Sequence, residues 1–329
     1  MQFGIGCPPK ESRQSAEALA RTAQRAEDCG FNEVWVGDSQ GIWQDLYVSI
    51  TLCAVRTRRI RLGAGVTNLV TRHPAVTARA MATLDEVSEG RALLGLGAGD
   101  SALNHLGLKV SSLSTLEEGI RLIRGLLKGE GGQFRGKTIA AFLHFRPRDV
   151  PIHLASYGPR MLELAGRAAD GVNVPVGVSP ELIQYALKHI GDGARAAGRD
   201  PASLSVAFQV GCSIRKDGAR AREDVKSWVA RRALSPIPLS LMGITAEEAE
   251  GLRQAYQYAE HLIPHAHHAV QVSDAWAARH ALAGTPEECV EKIREIEEQG
   301  IRQLILVPAT QDSEELLTLF EKHILPRLG

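Results

Sequence analysis

Short apolar runs alternate with stretches of helical period along the whole chain. The apolar runs lie at 3–6, 33–36, 60–63, 91–97, 151–155, 171–174, 205–212 and 304–307. Helical pattern follows each of them: over 12–29, 45–55, 75–87, from Thr115 with Ser114 as cap, over 159–169, 180–197 and 219–233, and from Ser313. Strands this short and continuously apolar, with helices between them, imply parallel pairing buried on both faces. Eight such units in 329 residues predict an α/β fold, a (β/α)8 TIM barrel. The competing architecture, a doubly wound sheet, carries a G-x-G-x-x-G fingerprint after its first strand. Here Gly4 and Gly6 run into Cys7-Pro8-Pro9, and the run GLGAG at 95–99 is incomplete too.

Two stretches are longer than ordinary barrel connections. Residues 129–149 contain GEGGQFRGK and predict a loop or small hairpin. Residues 234–283 open on Pro236 and Pro238, two strong punctuators, and then turn helical. They read as an insertion before the last strand, a lid beside one face of the barrel. Residues 1–329 are thus expected to form one barrel domain.

Composition narrows the function. Apolar residues make up 44% and charged residues 23%, values of an ordinary globular chain rather than a disordered or fibrous one. Lys+Arg and Asp+Glu both number 38, so bulk charge draws the chain to neither nucleic acid nor an acidic membrane. Arg56, Arg58, Arg59 and Arg61 cluster without interleaved aromatics, unlike a single-strand binder. No window approaches the roughly 18 apolar residues of a membrane span, and the start, MQFGIGCPP, lacks the pattern of a secretory leader. The five cysteines never form CxxC. Cys29, Cys53 and Cys289 sit in helical pattern as expected core thiols, which fits a reducing cytoplasm. The chemistry must come from a site, with a small molecule as its partner.

A barrel presents that site at the carboxyl ends of its strands. The residues collected there are Gly6, Cys7 and Pro8; Gly37, Asp38 and Ser39; Gly65, Val66, Thr67 and Asn68; Gly99, Asp100 and Ser101; Ser156, Tyr157 and Gly158; Pro175 and Val176; and Gln209 and Cys212. In SYGPR, residues 156–160, Gly158 permits close backbone approach and Pro159 opens a helix. Free N–H groups at that helix start, with Ser156 or Arg160, form a candidate phosphate site. Asp100 follows a glycine-rich strand end where a planar ligand can lie near the backbone; it is a candidate acid, or a cap of the next turn. Asp38 is a second candidate, or a brace for its own loop. His261, His265, His267 and His268 are interrupted by Pro264 and read as an exposed lid or interface, not a metal site. His73, before Pro74, is a better ligand contact.

These motifs resemble the bacterial-luciferase-like family of flavin- and deazaflavin-dependent oxidoreductases, and within it most of all the F420-dependent methylenetetrahydromethanopterin reductases. The resemblance runs through FNEVWVGD at 31–38, LGAGVTNLVTRHPAVTARAMATLDEVSEGRALLGLGAGD at 62–100, SYGPRMLELAGRAADGV at 156–172 and AGTPEECVEKIREIEEQGIRQLILVP at 283–308. It implies a barrel holding coenzyme F420, or alternatively FMN, at its carboxyl face. Gly65-Val66 matches the position of a non-prolyl cis peptide that forms a bulge behind the ring. Thr67 and Asn68 match residues beside the ring. Gly99, Ser156, Gly158, Pro159 and Arg160 fall in the region holding the phosphate, and Asp100 matches an acid near ring and substrate. Dimerisation through early barrel helices is a further family trait.

Two departures accompany the match. Many F420 users read Asp-His where this chain has Asp38-Ser39, and the pterin reductases often carry glutamate where Gly6 falls. The expected function is an F420-dependent oxidoreductase that exchanges a hydride with a small organic substrate, a methylene-tetrahydropterin by default. The alternative is an FMN-dependent monooxygenase using reduced flavin and dioxygen. A homodimer or higher homo-oligomer is expected, with no metal.

Overall fold

Eight parallel strands close into a ring: β1 (Gln2–Gly6), β2 (Glu33–Val36), β3 (Arg61–Thr67), β4 (Ala92–Leu96), β7 (Ile152–Ala155), β8 (Gly171–Val174), β9 (Ser205–Ile214) and β11 (Gln303–Pro308). β1 pairs with both β2 and β11, and β8 pairs with β9, so the sheet has no free edge within the ring. This is the predicted barrel. The structure, a computed structural model, describes residues 1–6, 15–142, 146–260, 263, 265–309 and 313–328. Cys7, Pro8, His261 and Pro264 therefore lie outside the described residues.

The ring holds because almost every strand residue is buried. β2, β4 and β8 have no exposed position, as apolar runs without alternation require. Trp35, Leu93, Ala207 and Ile305 pack together as a separate buried cluster. Trp35 fits because Gly63 has no side chain: a Cβ there would lie 2.3 Å from the indole. The indole N–H donates to Glu33 at 2.9 Å. His153 donates through Nδ1 to Asn173 at 3.2 Å, and burial pushes its pKa down, opposed by Glu33.

The clustered arginines have structural partners. Arg56 pairs with Glu17 at 2.7 Å, and the Glu27 carboxylate accepts the backbone N–H groups of Arg58, Arg59 and Ile60. Burial raises the Glu27 pKa, but those three donors outweigh it and hold the group below its ordinary value. Cys29, Cys53, Cys212 and Cys289 are buried free thiols. No helix among the described residues is long and apolar enough to cross a membrane.

Local departures have local causes. The helix expected from Thr115 with Ser114 as cap runs over Leu113–Leu127 and is capped by Ser112, whose Oγ accepts the Thr115 N–H at 3.1 Å. Ser112 is the last residue with extended backbone, so Ser114 already lies in the first turn. Residues 129–149 include an antiparallel hairpin, β5 (Gly132–Phe134) with β6 (Lys137–Ile139).

The insertion at 234–283 holds helices Leu239–Met242, Ala246–Ala255 and Asp274–His280. Leu252, Val272 and Trp276 pack on Val225, Trp228 and Val229 in a second core. A strand that the hydrophobic pattern did not predict, β10 (Ala281–Gly284), pairs with residues 211–214 of β9, outside the ring. Two side chains hold consecutive carbonyls just beyond β8: Arg232, just before the insertion, donates to Pro175, and His280 Nδ1 at the insertion's end donates to Val176 at 3.0 Å. Burial and the nearby Arg232 push the His280 pKa down to about 3, so its imidazole stays neutral. His268 is buried against Tyr256, with ring centroids 4.6 Å apart, rather than exposed on a lid. Among the described residues no His, Cys, Asp and Glu cluster in a metal-holding group.

Candidate active site

The carboxyl ends of the strands surround a cavity of about 840 Å³, a volume suited to a cofactor with substrate beside it. Gly6, Asp38, Val66, Thr67, Asn68, Gly99, Asp100, Tyr157, Gly158, Pro159, Arg160, Pro175 and Gln209 line it, together with Gly65 and Ser39. The residues expected at the strand ends thus gather around one cavity. Val176 and Cys212 are buried away from the wall. His73 is also elsewhere: its Nδ1 accepts the Ala75 N–H and caps its own helix.

Gly65-Val66 is a cis peptide, and the pairing of β3 with β4 shifts register between Ala64 and Thr67. The glycines of β4 and the loop after it make room for this bulge. A Cβ on Gly95 would lie 2.8 Å from Val66 Cγ1 and 2.2 Å from the Ala64 carbonyl, and one on Gly97 would lie 2.9 Å from Val66 Cγ2. Their small size thus serves Val66 first, and a ligand only through it. Gly99 has φ +101, a left-handed conformation that favours glycine.

Thr67 is buried and donates its hydroxyl to Asp38 Oδ2 at 2.6 Å. Burial pushes the Asp38 carboxyl above its ordinary range; the Thr67 bond opposes this, Asp45 adds to it and Arg72 opposes it. Asn68 turns its Oδ1 to the N–H groups of Val70 and Thr71, both at 2.9 Å, and so shapes the loop after β3. Ser39 accepts a 3.2 Å bond from Ser101.

Asp100 makes no cap bond to helix Ser101–Asn104. Its Oδ2 accepts from Arg231 at 2.8 and 3.2 Å, and its Oδ1 accepts from the Tyr258 hydroxyl at 2.7 Å. Burial, then Asp100, push the Tyr258 hydroxyl up to about 12. Burial would lower Arg231, but Tyr157 and Asp100 carry it above the usual arginine range. Asp100 is thus half of an ion pair.

Helix Pro159–Ala168 starts at Gly158 with no side-chain cap, and the Met161 and Leu162 N–H groups bond back to the Gly158 carbonyl. Proline has no N–H, which leaves the Arg160 N–H and the exposed Arg160 side chain at the wall. Gly158 is kept small by Pro236, whose Cγ would lie 2.7 Å from a Cβ there. Ser156 stands behind the wall, with its hydroxyl donated to the Met161 carbonyl at 3.3 Å.

One wall was not predicted from the sequence: it comes from the end of helix Gly218–Ala230 and the residues just after it, Trp228, Arg231, Arg232 and Pro236. Adjacent arginines at the end of an amphipathic helix look like solvated charges facing the helix dipole. Here Arg232 is only 4% exposed. The available signal was the aromatic Trp228 one turn earlier.

A profile of the family described as luciferase-like monooxygenase matches residues 1–303. The chain is 35% identical to a 5,10-methylenetetrahydromethanopterin reductase of Methanolobus tindarius, covering 99% of this chain and 100% of that protein. It is 32% identical to an F420-dependent glucose-6-phosphate dehydrogenase of Nakamurella multipartita, over 94% of this chain and 92% of that one. The coenzyme F420-dependent tetrahydromethanopterin reductase structure from Methanopyrus kandleri superposes with a TM-score of 0.84 at 29% identity, over 100% of this chain and 99% of the other.

Proposed function

The chain belongs to the luciferase-like monooxygenase family, and on that premise we propose that it is an F420-dependent oxidoreductase related to methylenetetrahydromethanopterin reductase. It moves a hydride between the deazaflavin and a small organic substrate. The observation that carries this is the convergence of the Val66 bulge, the Asp38–Thr67 pair and the uncapped helix start at Gly158 on one cavity. That set fits a flat ring with an anionic tail. When bound, F420 supplies the ring carbon that gives or takes the hydride.

The protein supplies position, dryness and a proton. Gly65 and Val66 back the ring, while Thr67 and Asn68 form the wall beside it. Gly99, Gly158, Pro159 and Arg160 hold the anionic tail at the helix start, and Ser156 braces that turn from behind. Trp43, Trp228 and Pro236 exclude water. Asp38 carries the proton: Thr67 fixes Oδ2, and burial favours the protonated carboxyl. Asp100 was the first acid on sequence grounds, but we assign it to closing the cavity through Arg231. A methylene-tetrahydropterin is the substrate class the relatives suggest. Gly6 leaves no carboxyl at the end of β1, so the proton work falls on Asp38.

Titration with F420, FMN and FAD, followed by anaerobic reduction, tests the reading. F420 is expected to bind at least about tenfold more tightly than FMN, about 1.4 kcal/mol. Tight FMN binding with flavin-dependent oxygen consumption would overturn it in favour of the monooxygenase.

We place a second copy of the chain against helices Leu46–Arg56 and Pro74–Val87. These neighbouring helices expose Val48, Val55, Val76 and Val87 by 41% to 60%, an apolar surface of the kind that associates. V55D/V87D should shift the particle mass from about twice 35.6 kDa to that value in light scattering. An unshifted dimer would put the interface elsewhere. The four buried free thiols support a cytoplasmic location.

A further inference from the structure

Arg231 and Arg232 follow helix Gly218–Ala230 into the cavity wall, and Asp100 is the one carboxylate among the described residues that pairs with either. Arg232 is 4% exposed. Its guanidinium donates to the Pro175 carbonyl and lies over the rings of Trp228 and Tyr157, 4.3 and 5.1 Å from their centroids. Its Nε has no hydrogen-bond partner among the described residues, nor has the buried Nη1 of Arg231. A buried guanidinium without a counterion is unfavourable unless something pairs with it. The two rings fix the plane of Arg232, so its fork is pre-organised for a planar anion.

We propose that the Arg231–Arg232 pair binds a single carboxylate group of the substrate. This rests on the reading of the cavity as a cofactor and substrate site. The cofactor's own anion already has the uncapped helix start at Gly158. The arginine pair instead connects to the proton-carrying side, because Asp100 precedes Ser101, which bonds to Ser39 next to Asp38. Asp100 pairs with Arg231, and an arriving carboxylate competes with it for that guanidinium.

The test is calorimetric titration of the full chain with benzoate, with and without F420, using neutral benzamide as control. The wild type should bind benzoate at least tenfold more tightly than benzamide. Arg232→Met should weaken benzoate at least tenfold and leave F420 affinity within threefold. Asp100→Asn should tighten benzoate at least threefold by removing the competitor, and it keeps both arginines should Arg232→Met not fold. Equal binding of benzoate and benzamide would overturn the proposal. So would a parallel loss of F420 and benzoate in Arg232→Met, which would give the pair to the cofactor. An unchanged benzoate affinity in Asp100→Asn would remove Arg231 from the site. Arginine-dependent benzoate binding by a chain that takes no F420 would uphold the anion site and sink the F420 reading instead.

Discussion

Asp38→Asn is expected to lower turnover by about a hundredfold or more while leaving F420 affinity within about threefold. General acid–base catalysis by one positioned carboxyl contributes on the order of 10²–10⁴-fold. The substitution keeps the shape and can still accept the Thr67 hydroxyl, so what it removes is the proton. The direction of the pH dependence follows from burial, which raises the Asp38 pKa. Reduction of substrate needs the protonated carboxyl. Its rate should therefore be full below that raised pKa and fall as pH rises through it. Oxidation needs the carboxylate and should show the opposite limb. Stopped-flow reoxidation of reduced F420 by the substrate reads the first limb and reduction of oxidised F420 by the reduced substrate reads the second, each across pH, and Asn should flatten both profiles. Equal losses of turnover and affinity would make Asp38 a structural brace, and an unaltered profile in the variant would assign the proton to another group.

Gly158→Val should weaken F420 binding by roughly 10- to 100-fold, the effect of losing charge-assisted hydrogen bonds of about 1.5–3 kcal/mol. The backbone tolerates the change, since φ at Gly158 is −85. The obstacle is Pro236, 2.7 Å from the position of the new Cβ. Either Pro236 is pushed into the cavity or the helix start is pushed back, and both spoil the seat for the anionic tail. Quenching of F420 fluorescence measures the affinity, and circular dichroism checks that the barrel persists. Undiminished F420 affinity in a folded variant would move the phosphate away from this helix.

The strands were legible because each carries its own signal. A strand buried on both faces must be apolar throughout, so β2, β4 and β8 announce themselves without reference to their neighbours. Strand ends were legible for the same reason, and Asp38, Thr67, Gly99 and Gly158 came to one cavity as expected. What could not be read was partnership across the chain. The glycines of GLGAG looked like room for a ligand, yet Gly95 and Gly97 make room for Val66 on the neighbouring strand. Asp100 looked like an acid or a cap until Arg231, 131 residues away, took its carboxylate. β10 is short and pairs only with the protruding end of β9, so its four residues carry no periodicity to find.

The sequence by itself determined the barrel, the family and which strand-end residues line its main cavity, because those depend on local patterns repeated eight times along one chain. The tertiary structure alone decided the electrostatics of the site. Charge state depends on burial and on which opposite charge lies within a few ångströms. For Asp38, Asp100, Arg231 and Arg232 those neighbours are brought together only when the ring closes and the insertion folds back on the end of β8.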